Sequence, residues 1–299
     1  GTFTISDTVI RDNSTNNDGG GIYNQSTLTI RNSIISGNSA SDDGGGIANF
    51  SYGNLSIINS TISGNSASDD GGGIYNRGTA TVVNSTISGN SASSDGGGIY
   101  NYEAVNVVNS TISRNSASDD GGGIFNRGTA TVVNSTISGN SASDDGGGIY
   151  NRSGSTLNLT NSISANNIGS DIRISGTINT FGTNIVEDGS LTGDNIITAD
   201  PNLSPLQDNG GTTETQIPLD GSPAIDAGSN EEIPSDILDI DNDGNTDEPV
   251  SFDQRGEGFS RVINQFVDIG AVEFGNEGGG GGNQNPVAED DTATTSQNT

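Results

Sequence analysis

Hydrophobic side chains recur along residues 1–165 at short, regular intervals, and each is flanked by Ser, Thr, Asn or Gly. In one unit, residues 74–76, 80–84 and 86–88 alternate between apolar and polar positions. A period of two is typical of half-buried β-strands, and Gly, Asn, Ser and β-branched residues are poor helix formers. The pattern therefore predicts three strands of three to five residues per unit, separated by turns.

The unit repeats with a nearly constant length. Gly-Gly-Gly triplets mark it at 19–21, 44–46, 71–73, 96–98, 121–123 and 146–148. Successive triplets are 25, 27, 25, 25 and 25 residues apart. About 25 residues in three strands close one coil of a parallel β-solenoid, whose coils stack at the ~4.8 Å strand spacing. We predict an all-β solenoid of about 6 regular 25-residue coils, followed by degenerate coils and an irregular C-terminal cap.

Equivalent residues should then stand above one another in columns. One predicted inward column contains Ile22, Ile47, Ile74, Ile99, Ile124 and Ile149, and a second contains Ile35, Ile62, Ile87, Ile112 and Ile137. The Asn two residues after each Ile of the first column shares its inward phase, so we expect the amides of Asn24, Asn49, Asn76, Asn101, Asn126 and Asn151 to bond from coil to coil. A core one coil wide needs few apolar side chains, which fits the hydrophobic content of only 28%.

Composition excludes several kinds of chemistry. The chain has no Cys, His, Met or Trp, and all nine basic residues are Arg. Zinc, haem and iron–sulfur ligation by Cys or His, imidazole or thiol catalysis, and Lys-based chemistry are thereby ruled out. The net charge of −29 argues against nucleic acid and anionic membranes as partners. No apolar run approaches the ~18 residues that a membrane span requires.

The charge is concentrated towards the C-terminus. Residues 1–166 carry a net charge of −7 and residues 167–299 carry −22, and all seven Pro residues follow residue 200. A solenoid end exposes strand edges and needs a polar cap. We therefore assign 1–189 to the repeats, 190–274 to an acidic capping module, and 275–299 to a Gly-rich linker and the start of a further repeat, which we expect to be disordered.

An acidic loop in this module gives the sharpest chemical signal. Alternating carboxylates followed by a Gly can wrap a hard cation with oxygen ligands, as in EF-hand loops. The predicted ligands for Ca²⁺ are Asp239, Asp241, Asp243, Asn245 and Asp247. Val250 stands where an EF-hand has its bidentate Glu, so Glu248 is the candidate closing ligand. A solvated acidic turn is the alternative.

A second acidic feature precedes the Gly triplets. The residues that recur there are Asp42, Asp43, Asp69, Asp70, Asp95, Asp119, Asp120, Asp144 and Asp145. They can form simple Asp-Gly turns, or they can bind cations that relieve the repulsion between stacked carboxylates. An aromatic row is predicted to face outward; it comprises Tyr23, Tyr75, Tyr100, Phe125 and Tyr150, with Ala48 interrupting it. The row can stack on itself or present a sugar- or protein-binding stripe, and self-stacking is favoured.

Three resemblances extend this interpretation. The repeat Gly-Gly-Gly-Ile-Tyr-Asn, followed by Asn-Ser-Thr-Ile-Ser-Gly-Asn, resembles right-handed parallel β-helix repeats of the bacterial polymorphic outer membrane protein type. Motifs at 200–211, 221–228, 253–256 and 267–273 resemble, in order, the choice-of-anchor Q module, and 285–292 is similar to the start of cadherin-like or immunoglobulin-like repeats. These resemblances imply a large secreted or surface-displayed bacterial protein without an assigned activity.

Our principal functional prediction is a Ca²⁺-stabilised structural or adhesive segment at the bacterial cell surface, with no catalysis. Its expected partners are a surface polysaccharide, another cell-surface protein and flanking domains of the same chain. A carbohydrate-active lyase or hydrolase is one alternative, with Arg152 or Arg173 beside irregular loops as candidate groups. An ice-binding solenoid is the other, based on the outward hydroxyl rows Thr61/Ser63, Thr86/Ser88, Thr111/Ser113 and Thr136/Ser138.

Overall fold

The computed structural model describes residues 1–236, 238–241 and 243–276. The linker and repeat start predicted at 275–299 lie outside the described residues from residue 277 onward. Within the described ranges, regular structure consists of short β-strands and one 3-10 helix, Asn230–Glu232. The strands form four sheets, A to D, and each regular coil contributes one strand to each sheet in turn.

Sheets A and B have eight and nine strands. The strands of sheet A are Thr2–Ser6, Thr27–Arg31, Asn54–Ile58, Thr79–Val83, Ala104–Val108, Thr129–Val133, Thr156–Thr160 and Thr177–Phe181. The strands of sheet B are Val9–Arg11, Ile34–Ser36, Thr61–Ser63, Thr86–Ser88, Thr111–Ser113, Thr136–Ser138, Ile163–Ala165, Asn184–Val186 and Ile196–Ile197.

Sheets C and D have six and seven strands. The strands of sheet C are Ser14–Thr15, Ser39–Ala40, Ser66–Ala67, Ser91–Ala92, Ser116–Ala117 and Ser141–Ala142. The strands of sheet D are Ile22–Asn24, Ile47–Asn49, Ile74–Asn76, Ile99–Asn101, Ile124–Asn126, Ile149–Asn151 and Ile172–Ile174.

Neighbouring coils pair in parallel and in register. Thr79–Val83 pairs residue by residue with Asn54–Ile58 on one side and with Ala104–Val108 on the other. The result is a parallel β-solenoid of about seven turns. The predicted fold class is therefore confirmed.

Each regular coil has four strands, so the prediction of three was wrong. The additional strand is a two-residue Ser-Ala pair in sheet C, for example Ser91–Ala92. Two residues are too few to show a hydrophobic period, and the neighbouring Asn, Ser and Asp residues indicated only a turn. The Ala side chain is nevertheless buried, at 5% exposure for Ala92.

The core is a narrow file of apolar columns, as predicted. Ile47, Ile99 and Ile124 are completely buried in one column, and Ile62 and Ile87 in another. Each Ile contacts its equivalent above and below because the strands are in register. Few apolar residues per coil therefore suffice to fill the interior.

The predicted Asn column also forms. Each amide Nδ2 donates to Oδ1 of the next Asn along 24, 49, 76, 101, 126 and 151, at 2.7–2.9 Å. The side chains are 0–6% exposed. Buried amides that lacked these bonds would be costly, so the column specifies the register of the coils.

Two further polar columns were not predicted. In the first, Asn65 donates both its backbone N–H and its Nδ2 to Oδ1 of Asn90, and the equivalent Asn of each neighbouring coil does the same at 2.9–3.1 Å. In the second, the backbone N–H of Ser85 donates to Oγ of Ser110, and this also repeats. Side chains thus accept hydrogen bonds at turns that carry no strand pairing.

The Gly triplets follow from close backbone packing. A Cβ atom on Gly72 would lie 2.4 Å from the carbonyl oxygen of Ser91 in the next coil, and one on Gly73 would lie 2.6 Å from that of Gly98. No side chain fits at that separation. The first Gly of the triplet, Gly71, has a φ of 69°, which favours Gly for a different reason.

Residues 200–276, named the C-terminal segment here, run back along the side of the solenoid. The segment covers the outer face of sheet B: Thr86 Oγ1 donates to the carbonyl oxygen of Glu214 at 2.5 Å, and Ala271 N–H donates to Thr136 Oγ1 at 3.2 Å. Leu191 and Ile196, which precede the segment, pack against the solenoid core. The boundaries assigned to the capping module remain predictions.

Gln254 is the centre of this docking. Its Nε2 donates to Ser85 O, Thr86 Oγ1 and Thr213 Oγ1 at 2.9–3.2 Å, and its Oε1 accepts from Thr111 Oγ1 at 2.6 Å. Gln254 is fully buried. One amide therefore joins two adjacent coils to the C-terminal segment.

The outer hydroxyl rows are consequently not an open surface. Thr111, Ser113, Thr136 and Ser138 are at most 1% exposed. The ice-binding alternative required these rows to face water, and in this form it is wrong. The reason is that the hydroxyls satisfy polar groups of the C-terminal segment.

Gln254→Ala should detach the C-terminal segment without unfolding the repeats. The substitution leaves several buried hydroxyl and carbonyl groups without partners, which we expect to cost about 3 kcal/mol at ~1–3 kcal/mol per unsatisfied group. Limited proteolysis should cut 200–276 faster while residues 1–186 stay protected. Gln207→Ala is the control, because Gln207 is exposed and its Nε2 donates to Asn209 Oδ1 within the same segment. Equal cleavage of both variants would contradict the docking role.

Candidate functional site

The acidic loop brings three of its five predicted ligands together. Carboxylate oxygens of Asp239, Asp241 and Asp243 lie within 4.8 Å of one another. Gly244, with a φ of 86°, makes the turn, and its N–H donates to Asp239 Oδ1 at 3.1 Å. The sequence pattern of alternating Asp and a following Gly therefore converges three carboxylates on one side of a turn.

The other two predicted ligands have different contacts. Asn245 donates its Nδ2 to Glu248 Oε2 at 2.9 Å, and its Oδ1 accepts from Asp247 N–H at 3.2 Å. Asp247 is exposed. Glu248, the candidate closing residue, has its Oε1 buried without a hydrogen-bond partner. Partial burial and the carboxylates of Asp243 and Asp241 raise the pKa of Glu248.

The oxygen set fits a hard cation. Three carboxylates and a fourth with an unpaired oxygen supply the ligand type that Ca²⁺ prefers, with no nitrogen or sulfur donor among them. The three carboxylates repel one another, and a bound cation would relieve that repulsion. Bound Ca²⁺ would supply that charge and cross-link the turn.

The loop is attached to the solenoid. Both carboxylate oxygens of Asp236 accept from Ile240 N–H, at 2.8 and 3.0 Å, and Arg31 Nη2 donates to the carbonyl oxygen of Leu238 at 3.2 Å. A mostly apolar pocket of about 230 Å³ lies beside it, where Val83 and Val108 of the solenoid face Pro234, Leu238 and Val250. A change that disturbs the loop should therefore also weaken the docking of the C-terminal segment on the solenoid.

Buried ion pairs hold the rest of the segment. Arg255 Nη2 lies 2.6 Å from Asp253 Oδ2, and Arg261 Nη2 lies 3.1 Å from Glu273 Oε1, with all four side chains at most 2% exposed. Burial raises the pKa of Glu273 to about 8 although Arg261 opposes this shift. Burial likewise raises the pKa of Asp268. Glu273 N–H donates to Asp253 Oδ2 at 3.0 Å, and Arg255 Nη2 donates to the Glu273 carbonyl oxygen at 2.9 Å. These bonds connect residues 253–256 with residues 267–273, two of the motifs singled out in the sequence.

The Asp residues before the Gly triplets form a half-buried column. Each carboxylate accepts from the backbone N–H of the next, as in Asp95 N–H to Asp70 Oδ1 at 3.1 Å. Burial raises the pKa of Asp43, Asp70 and Asp95 to about 6, and neighbouring carboxylates add to the shift. Oxygens of Asp43, Asp69 and Asp70 also lie within 4.8 Å of one another. The column thus serves as a turn element, and cation binding by it stays a prediction.

The aromatic row stacks on itself, as predicted. Ring centroids are 5.0–5.8 Å apart along Tyr23, Phe50, Tyr75, Tyr100, Phe125 and Tyr150. Ala48 interrupts the row in the sequence, and the ring of Phe50 lies between those of Tyr23 and Tyr75 in its place. Tyr75, Tyr100 and Phe125 are only 3–7% exposed. Their mutual ring contacts account for the burial of the middle of the row.

The candidate catalytic Arg residues lie on the surface. Arg173 Nε is 3.5 Å from Asp145 Oδ2 in a half-exposed ion pair. Arg152 is exposed, and its backbone N–H donates to Asn126 O as part of the coil stacking. Their positions follow from the repeat.

The raised carboxyl pKa values predict a pH dependence of stability. A carboxyl whose pKa is raised by folding stabilises the fold when protonated, so this contribution is present at low pH and is lost as pH rises through the folded-state value. For Asp43, Asp70, Asp95 and Asp171, whose pKa values are about 6, the free energy of unfolding should increase as pH falls from 7.5 to 5. Asp188, whose pKa is lowered, is ionised in the folded and the unfolded state across this pH range and does not contribute to the slope.

Melting temperatures measured across this range test the prediction. Asp70→Asn should reduce the pH dependence of the melting temperature, because an amide does not titrate. The amide oxygen can still accept from Asp95 N–H, so the turn keeps its hydrogen bond. Asp194→Asn, which removes an exposed charge, should leave the slope unchanged. A chain that melts at lower temperature at pH 5 than at pH 7.5 would contradict the assignment.

The repeats match a known family. The model of the Chlamydia polymorphic membrane protein repeat matches residues 7–25, 59–77, 84–102, 109–127 and 134–152. Every matched stretch begins at a residue with positive φ, such as Asn59 or Asn84, and ends one residue after a sheet D strand. The family pattern therefore covers the strands of sheets B, C and D in one coil.

No curated protein and no solved structure matches the chain. The resemblance of the C-terminal segment to the choice-of-anchor Q module has no support from these comparisons and stays a prediction. Among the described residues, no helix has the length and apolar character that crossing a bilayer requires. The chain is thus a parallel β-helix repeat protein whose coils are similar to the Chlamydia polymorphic membrane protein repeat.

Proposed function

We propose that this chain is a Ca²⁺-stabilised structural or adhesive segment of a bacterial cell-surface protein. The main support for this proposal is the continuous solenoid, whose coils pair in register and have stacked polar columns at their turns. The family match is confined to these coils. Rigid stacking suits a spacer or display surface, and the matched family is named for membrane proteins. A surface polysaccharide or another surface protein is the expected partner, together with flanking domains of the same chain.

No catalytic role forms part of this proposal. The Asp pairs recur in nearly every coil and serve its turns, which is typical of structure rather than of a single active site. Incubation with acidic polysaccharides and Ca²⁺ should accordingly release neither reducing ends nor unsaturated products.

Surface display is tested on intact cells of the producing bacterium. External protease should remove the epitope of an antibody raised against residues 1–186 while a cytosolic marker remains intact. Retention of the epitope in intact cells, with loss after lysis, would contradict a surface location. Adhesion is tested by the retention of purified chain on extracted surface polysaccharide.

The Ca²⁺ part of the proposal concerns the loop at 239–248. Its support is the convergence of three carboxylates, the unpaired Glu248 Oε1 and the attachment of the loop to the solenoid through Arg31. Ca²⁺ would neutralise the cluster and stabilise the docked C-terminal segment. The cation therefore has a structural role in the proposal.

EDTA should lower the melting temperature, and Ca²⁺ should restore it. A ligand at 100 times its dissociation constant stabilises the bound state by about 2.7 kcal/mol. The double variant Asp241→Asn/Asp243→Asn should melt at the same temperature in EDTA and in Ca²⁺. Asp220→Asn, which removes a distant exposed charge, should keep the full response. Identical melting of the unmodified chain in both conditions would exclude the Ca²⁺ site.

A further inference from the structure

The outer face of sheet A carries two uninterrupted columns of uncharged side chains. One column, called the outer column because it is the first position of each strand, is Thr2, Thr27, Asn54, Thr79, Ala104, Thr129, Thr156 and Thr177. The adjacent column is Thr4, Thr29, Ser56, Thr81, Asn106, Thr131, Asn158 and Asn179. Ten of these sixteen positions are Thr and one is Ala, so nearly every position offers a hydroxyl or an amide.

This face remains accessible where sheet B is covered. Thr27, Thr79, Thr129 and Thr177 of the outer column are exposed, and most of the adjacent column is half-buried. The C-terminal segment stops at a third column, where Ile58 is 0% and Val83 is 4% exposed. It thus borders the two polar columns, in which Thr81 is buried at 8% exposure and the other fifteen positions are half-buried or exposed.

The strand register turns the two columns into a two-dimensional lattice. Each residue pairs with its equivalent in the next coil without a slip across all eight strands. Neighbours are therefore ~4.8 Å apart between strands and ~6.7 Å apart along a strand, and the lattice is about 34 Å long. A ligand that uses the whole face must repeat with the same two spacings.

The side chains of the lattice are held in place. Thr is β-branched and has little rotational freedom about χ1. At the C-terminal end, Asn179 Nδ2 donates to Asn158 Oδ1 at 2.9 Å, and Asn158 Nδ2 donates to Thr131 Oγ1 at 3.1 Å. Little conformational entropy is therefore lost when the face binds a rigid surface.

The absence of charge limits the classes of ligand that this face can bind. The chain carries a net charge of −29, yet none of the sixteen lattice positions is ionisable. Cations and anions alike gain nothing specific here, and a single small molecule cannot engage a lattice of this length. Ordered water meets both conditions, because the oxygen atoms of an ice face are neutral and repeat at spacings similar to these.

We propose that the sheet A face, centred on Thr79, Thr129 and Thr131, is an ice-binding surface. Its hydroxyls hydrogen-bond an ordered water layer, and the Thr methyl groups between them favour ordering of that layer. This surface is distinct from the Thr-x-Ser rows of sheet B, which the C-terminal segment occupies. A neutral crystalline polysaccharide such as cellulose or chitin is the competing occupant.

The test measures thermal hysteresis and inhibition of ice recrystallisation with the full chain. Thr79→Tyr/Thr129→Tyr places two bulky rings on the lattice, and Tyr is well tolerated in strands. Ser68→Tyr/Ser118→Tyr is the matched control, because both Ser residues are exposed on turns remote from sheet A. Melting curves in the absence of ice check that both variants fold.

The unmodified chain and the control should shape ice crystals and inhibit recrystallisation, and the sheet A variant should lose both activities while melting normally. Lack of ice activity in the unmodified chain would overturn the proposal, as would equal activity in both variants. Retention on cellulose or chitin without ice activity would assign the face to a polysaccharide instead. Because these assays need neither Ca²⁺ nor cells, their failure leaves the proposed surface function standing.

Discussion

The structure depends on one constraint, that equivalent side chains of successive coils lie directly above one another. Asn76, Asn101 and Asn126 show why: each amide is both donor and acceptor, so a column satisfies itself only when the coils are in register. The apolar core has no such directionality. Hydrophobic burial drives coil closure, and the polar columns determine which residue stacks on which.

The same constraint explains where the repeat tolerates change. Two coils contain two additional residues, and both insertions lie in the turn between sheets D and A. Gly53 N–H donates to Phe50 O in one, and Ser155 N–H donates to Arg152 O in the other, so each insertion closes its own small turn. The strands on either side keep their pairing. Among the regular coils, length variation is thereby confined to the turn between sheets D and A.

Periodic features were predictable from the sequence, and single-copy features were not. The Ile columns and the Asn24 column follow from position within the repeat, so their burial was predicted correctly. The Ser-Ala strands repeat too, but two residues give no alternation to detect. The C-terminal segment shows no period, and nothing in the sequence around Gln254 indicates that it lies against Thr86 and Thr111. The acidic loop was predictable in part. The alternation of Asp residues predicted the three that cluster, whereas the contacts of Asn245 and Asp247 depend on how the turn closes.

The most direct test of the stacking constraint is a comparison of Asn101→Ala with Asn106→Ala by urea unfolding. Asn101 is fully buried and joins Asn76 to Asn126, whereas Asn106 lies half-buried on the outer face of sheet A. The account predicts that Asn101→Ala lowers the free energy of unfolding by about 2–4 kcal/mol, since two buried amides lose a partner at ~1–3 kcal/mol each, and that Asn106→Ala lowers it by under about 1 kcal/mol. Equal losses in the two variants would contradict the claim that the buried amide column fixes the register.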